Sequence, residues 1–385
     1  MDSVQSKDNT TDKTDTSNDA GVVTADDYFA ASQWSLIWDK FKKHRLATGA
    51  LAVLSFLYML ALFPGFFSVN DHSFTNTDYV FVPPQGIHFV DTEGNFSLRP
   101  FVYGLKQEID DVTWEKTYVR DEAVRHPLVL FPKRENENLW GLLTLNRGFI
   151  GVAEPGVWYP FGTDEFGRGL YSRTINASQI SLFIGIAGVM LSFVIGSVMG
   201  GISGYFGGGI DIAIQRLIEF VLSIPSIPLW MALAAAMPQE WSSTKVFFGI
   251  TIVLSVVGWA NLARVVRGKT LEIREADFVM AARLMGVPTM QIIRRHILPS
   301  FASYLIVSIT LGVPAMIIAE TALSFLQIGI KPPAVSWGVL LQAAQSPNAL
   351  SQSPWLLIPG GFVVLTVICF NFIGDGLRDA VDPYR

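Results

Sequence analysis

The sequence predicts an all-α polytopic membrane protein of six transmembrane helices, with a mostly β extracytoplasmic insertion between the first and second. Three observations predict it. Half of the 385 residues are hydrophobic and only 16% are charged, where soluble domains carry about 25% charged residues. Six apolar stretches approach the length of about 20 residues that crosses a bilayer. Between the first two lies a long polar stretch rich in strand formers and turns, which no membrane span can contain.

In chain order, residues 1–27 are largely Asp, Thr, Ser and Asn. With almost nothing to bury, they are expected to form a disordered cytoplasmic tail. Residues 28–45 turn amphipathic: Phe29, Trp34, Ile37, Trp38 and Phe41 recur at helical intervals, and Lys40 to Arg45 close the segment with a basic run. Aromatic anchors and a basic end describe an interfacial helix at the cytoplasmic face. A nucleic-acid patch is the competing reading, disfavoured because the cluster abuts a membrane span. The first span follows at 46–69. It is longer than the core of a cleaved signal peptide, starts late and lacks an A-x-A site, so it is expected to be retained.

Residues 70–178 form the insertion. Tyr79-Val80-Phe81-Val82 runs into Pro83-Pro84-Gln85-Gly86, and Leu128-Val129-Leu130-Phe131 is closed by Pro132, the pattern of strands ended by turns. His72, His88 and His126 are far apart and no metal site is expected. The single cysteine, Cys369, lies in the last apolar stretch, which leaves no disulfide within the chain. The remaining spans fall at about 180–205, 217–237, 246–266, 300–328 and 355–373. Gly185, Gly188, Gly196, Gly200 and Gly201 permit close helix approach in the second. Pro225 and Pro228 in the third, and Pro314 in the fifth, either unwind helices beside a pathway or are simply tolerated against neighbours.

Orientation follows from lysine and arginine. With the N-terminus inside, sixteen of the 28 lie in cytoplasmic segments, two in the short outer loops and ten in the long insertion. Long translocated segments escape the positive-inside rule. Both termini are therefore expected in the cytoplasm of a multi-pass inner-membrane protein. Glu320, within a span, is a functional candidate because burying a carboxylate in hydrocarbon is costly. It either lines a translocation path or serves a contact between subunits, or it hydrogen-bonds a neighbouring helix. Glu219 sits near a span start, where it reaches the interface. No catalytic constellation is present, and Gly162 to Gly169 lacks the lysine and the Ser/Thr of a phosphate loop. The chain is not expected to be an enzyme or to bind a cofactor, metal or nucleic acid.

The polar segment 268–299 separates two spans. Phe278, Ala281 and Met285 recur at helical spacing, then Met290, Ile293 and Ile297. Gly286 stands between, where a turn needs backbone freedom, and Pro288 suits the first turn of a new helix. Ala281-Ala282, Gly286 and Leu298-Pro299 resemble the EAA loop of binding-protein-dependent ABC importer permeases. The spelling READFVMAARLMG…RRHILP is similar to the oligopeptide/dipeptide branch. Gly162-Thr163-Asp164 through Ser172-Arg173 looks like the GTD-x-x-GRD-x-x-SR signature of its C-type members, with Gly169 in place of an aspartate. ETALSFL around Glu320 and Gly374 to Pro383 are also similar to that branch.

The resemblance implies the type I importer (MetI-like) fold, with residues 179–385 as the permease core. It further implies a homologous permease partner, two ABC ATPase subunits carrying ATP and magnesium, and an extracytoplasmic solute-binding protein. The loop residues it assigns to coupling are Glu275, Asp277, Ala281, Ala282, Gly286, Val287, Pro288, Arg294, Leu298 and Pro299. Met280 replaces the glutamate that many such loops carry, leaving Glu275 or Asp277 to supply an ion pair. The implied cargo is oligopeptide; oligosaccharides, opines and nickel are alternatives within the branch, and a secondary transporter is a more distant one.

Overall fold

The computed structural model describes residues 33–71, 73–109, 116–139, 143–238 and 240–381. The expected tail at 1–27 and the start of the amphipathic segment lie outside them. Two helices open the described chain: α1 (Gln33–Lys43) and α2 (Arg45–Leu62). They are separated at His44, whose ring nitrogen accepts the Ala47 N–H at 3.1 Å. Phe41 is buried, stacked on Trp38 and packed beside Gly376 near the C-terminus, so α1 lies against the last helix of the chain. The first apolar helix is shorter than the expected 46–69. Pro64 cannot continue the hydrogen bonding of α2, and a four-residue turn, α3 (Pro64–Phe67), follows it.

The insertion contains β1 (His88–Val90), β2 (Phe96–Ile109), β3 (Lys116–Leu130), β4 (Lys133–Leu139), β5 (Leu143–Arg147) and β6 (Ile150–Val152). Strands β1, β2, β3 and β6 form one antiparallel sheet in that spatial order, and β4–β5 is a separate hairpin. Val69, Val102 and Trp158 make a small core under it. The strand expected at 79–82 is instead a turn, with Phe81 at φ +54. Its backbone is held by the GTD segment rather than by a neighbouring strand: Phe81 N–H donates to Asp164 O at 3.2 Å, and Thr163 N–H donates to Val82 O at 3.0 Å. Thr163 Oγ accepts the Val82 N–H and donates to Tyr79 O, both at 2.7 Å. The same segment locks the insertion to the helices. The Asp164 carboxylate accepts Arg168 Nε at 2.8 Å and the buried Arg173 guanidinium. Gly167 has φ +69, and a β-carbon there would overlap the Asn76 carbonyl.

Among the described residues, five helices are long and apolar enough to cross a membrane, and a bent pair makes a sixth if counted as one span. After α2 come α4 (Leu170–Phe206), the bent pair α5 (Gly208–Ser223) and α6 (Ser226–Ala235), and α7 (Ser243–Ile273). The loop helices α8 (Asp277–Leu284) and α9 (Thr289–Ile292) precede α10 (Ala302–Phe325), α11 (Trp337–Leu341) and α12 (Ile358–Val381). The long helix α4 starts at Leu170, ahead of the 178 boundary, and its 37 residues span about 55 Å. Helices α7 and α12 run on past their expected ends at 266 and 373.

The stretch expected as a span at 217–237, with Pro225 and Pro228 either unwinding it or tolerated, is bent by 88°. The cause is local. Pro225 drives Ile224 out of the helical region, to φ −91° and ψ 129°, and Pro225 itself is extended at ψ 133°. Both Pro225 and Pro228 are exposed at this elbow. Pro314, by contrast, is buried inside the unbroken α10. Helices α4 and α7 approach through glycines. A β-carbon at Gly196, Gly200 or Gly204 would come within 2.5–2.8 Å of the Trp259, Ala263 and Arg267 carbonyls. Backbone contact of this kind needs residues without side chains.

Candidate functional site: the loop between α7 and α10

Helix α7 runs to Ile273, so the loop hangs directly from its C-terminal end. Helix α8 terminates in a Schellman motif: Val287 N–H reaches Ala282 O at 3.1 Å and Gly286 N–H reaches Arg283 O at 3.0 Å. Gly286 has φ +75, and nothing lies within 4 Å of a β-carbon built there. Backbone conformation, not space, requires glycine at this position. Pro288 then caps α9 as its extended N-cap residue, at φ −58° and ψ 140°, one position ahead of the expected first turn. Beyond α9 the chain widens into a π turn over Ile293–Ile297, with Leu298 N–H reaching back to Ile293 O. Pro299 lacks an N–H and crowds the carbonyl four residues earlier, which favours the wider turn.

The loop has a buried root. Val279, Ala282, Ile292, Ile293 and Ile297 are at most 2% exposed and pack with Val266, Phe301 and Leu305 of the adjoining segments. Its outer surface is apolar but uncovered. Leu284 is 85% exposed, Met285 74%, Met290 52% and Phe278 46%.

The expected stripe of Phe278, Ala281 and Met285 is thus the outward face. Its inward counterpart is Val279, which escapes the sequence reading, together with Ala282, which does not; the two stand three residues apart as one helix face requires. Both Ala281 and Ala282 are expected, from their small size, to let the loop helices pack closely, but only Ala282 does so, since Ala281 is exposed. Glu275, Asp277, Arg294 and Pro299 are exposed around this face, while Val287 and Leu298 are half-buried. Glu275 accepts from Arg274 at 3.3 Å. Arg283 lies over the Tyr205 ring and within 3.2 Å of its hydroxyl, tying α8 to the end of α4.

A polar clamp that the sequence reading does not single out sits beside the loop. Arg267 on α7 donates to Asp211 on α5 through both Nε and Nη2, each at 2.6 Å, and Ser203 of α4 also bonds to Asp211. Gln215 Nε2 completes it with a bond to Ser203 Oγ at 3.2 Å. No sequence pattern pairs an aspartate in the first turn of α5 with an arginine near the end of α7. They meet only when the two helices pack together.

Glu320 is completely buried. Its carboxylate accepts Ser324 Oγ at 2.8 Å and Ser181 Oγ at 3.3 Å, and Ser336 also bonds to it. Ser181 Oγ in turn accepts the Trp337 N–H at 3.0 Å. The carboxylate therefore joins α10, α4 and the start of α11, enclosed by protein on every side. Near the Leu170 end of α4 and the Ser243 end of α7 there is a cavity of about 940 Å³. It is lined by polar Asn176, Gln179 and Thr244 and by apolar Phe183, Phe247 and Phe248.

Comparison with known proteins bears on this geometry. Residues 192–384 match the family described as binding-protein-dependent transport system inner membrane component. Residues 32–84 match the N-terminal TM domain of oligopeptide transport permease C. The oligopeptide transport system permease protein OppC of Haemophilus influenzae is 45% identical over 66% of this chain and 77% of its own length. The dipeptide transport system permease protein DppC of Bacillus subtilis is 41% identical over 58% of this chain and 68% of its own. Among solved structures, the methionine ABC transporter MetNI in an inward-facing conformation is similar over 54% of this chain and 96% of that one. The identity there is 21% and the TM-score 0.42. On the strength of the family match and the two sequence relatives, the chain belongs to the binding-protein-dependent transport system inner membrane components, the permease subunits of ABC importers.

Proposed function

We propose that this chain is one of two homologous permeases in an ATP-driven importer, and that together they enclose a path for oligopeptides delivered by a solute-binding protein. The observation that carries the reading is the loop of residues 274–299: a buried root fixed to α7, and an uncovered apolar face of Leu284, Met285, Met290 and Phe278. A protein surface in water rarely leaves such residues together without a partner. In this reading the loop is cytoplasmic and its face docks on an ABC ATPase, which binds ATP and magnesium. Glu275 and Asp277 supply the charges that Met280 cannot.

The bent pair α5–α6 counts as one span, giving six, with both termini in the cytoplasm and the β insertion outside. The exposed Pro225–Pro228 elbow then faces the path, while Glu320 and Pro314 support the helices around it. Relatives named as oligopeptide and dipeptide permeases favour peptide cargo.

The test is affinity purification of the chain co-expressed with its genomic neighbours, followed by ATPase assays in nanodiscs with peptides set against oligosaccharides, opines and nickel. The expected result is a complex holding a second permease and ATPases, with hydrolysis stimulated by peptide. A chain that purifies alone and transports unaided would refute the reading.

A further inference from the structure

At the base of the insertion, four phenylalanines gather beside the end of the first membrane helix. The 18 residues of α2 cover about 27 Å, close to the thickness of the hydrocarbon core. Under the topology proposed above, on which this inference rests, α3 therefore lies at the outer interface. Phe149 N–H donates to Phe66 O at 2.6 Å, and Phe131 N–H donates to Phe149 O at 3.2 Å. The insertion is thus pinned by its backbone at the level of α3. The ring centroids of Phe66 and Phe67 are 5.0 Å apart, and Phe149 lies 5.8 Å from each. Phe131 is 6.2 Å from Phe149.

The cluster is not closed over by its own chain. Phe131 is 48% exposed, Phe149 42% and the adjacent Leu130 65%. Phe131 holds φ +54, an unfavourable backbone conformation for a bulky side chain. Lys133 and Arg147 are exposed register partners across β4–β5, and each stands two residues from a ring of the cluster, Phe131 and Phe149. Half-exposed aromatic rings with two exposed cations close by in the chain, continuous with a membrane helix, match the chemistry of a phospholipid interface.

We infer that the Leu130–Phe131 and Phe149 base of the insertion inserts into the outer leaflet, with Lys133 and Arg147 on lipid phosphates. This anchorage holds the insertion at a fixed angle to the bilayer.

Because Cys369 is buried and is the single cysteine, site-directed labelling is direct in a Cys369→Ala background. Leu130→Cys and Phe131→Cys would carry nitroxides in the full complex, reconstituted into liposomes with and without anionic lipid. Lys106→Cys, at an exposed strand position, serves as the aqueous reference. Power saturation is expected to show oxygen access exceeding that of a water-soluble nickel chelate at 130 and 131, by several-fold relative to 106. Lys133→Glu with Arg147→Glu should reduce that ratio in anionic liposomes. Chelate access equal to that at 106 would overturn the inference, and so would low access to both reagents, which signifies a covering protein such as the second permease. A membrane-impermeant maleimide checks the topology separately. Labelling of Lys106→Cys from the inside only would overturn the topology and the inference with it; labelling from outside with water-exposed 130 and 131 would overturn the inference alone.

Discussion

Truncating Leu284 and Met285 to alanine tests the docking face most sharply, because the two side chains are largely uncovered by their own chain. They are 85% and 74% exposed, so the double variant should fold, insert and melt as the parent does, within about 0.5 kcal/mol. Docking against an ATPase would bury both side chains. At about 0.8 kcal/mol per buried methylene, each truncation removes about 2 kcal/mol of that contact. The pair then weakens association by about 4 kcal/mol, or about a thousand-fold in Kd. The assay is titration of purified ATPase onto the permease pair in nanodiscs, read alongside thermal melting and uptake. Unchanged affinity and uptake in a variant with normal melting would refute the docking role of this face.

Four further outcomes follow from the geometry. Gly286→Val forces a β-branched residue to φ +75, at a cost of about 1–2 kcal/mol; uptake should fall while an intact, inserted protein is retained, read by size-exclusion chromatography. Glu320→Gln keeps acceptor capacity for the serines and should leave uptake near normal, whereas Glu320→Leu strands their hydroxyls and should cost about 1–3 kcal/mol for each one left unpaired. Loss of uptake in Glu320→Gln with an unchanged Tm would instead place the carboxylate on the transport path. Arg267→Lys replaces a bidentate clamp on Asp211 with a single point charge and should lower Tm and loosen α5, seen as faster hydrogen exchange. The Asp91 carboxyl is held below the usual carboxylate range, first by the Asn95 N–H. Its stabilisation of the 91–95 turn is therefore full above the unfolded value of about 3.9 and lost as pH falls through the depressed folded value; Asp91→Asn should remove that dependence in amide exchange at Asn95.

The apolar spans and the loop are legible in the sequence because their signals are local. A run of apolar residues, a glycine at a helix end and a proline at a helix start each act within a few positions. The elbow at Pro225 is legible in kind but not in degree: proline restricts Ile224, yet the 88° bend depends on what α6 packs against. The root of α8 is not legible, because Phe278 and Met285 are as apolar as Val279. Only the position of Val266 and Ile293 decides which side is covered. The turn at 79–82 reads as a strand from its Tyr-Val-Phe-Val composition, and its true partner, the GTD segment, lies more than eighty positions away. Asp211 with Arg267, and Ser181 with Glu320, join residues 56 and 139 positions apart, distances at which periodicity carries no information.

The glycine contacts between α4 and α7 carry a mechanical consequence. Over the three turns from Gly196 to Gly204, where they meet backbone to backbone, the helices of 37 and 31 residues have no side-chain layer to slip within. They behave as one stiff beam of about 46 Å along α7, with the loop mounted at one tip and the 940 Å³ cavity at the other. A tilt imposed at the loop therefore moves α4 and α7 together rather than one past the other, and the cavity lies at the far end of that pair.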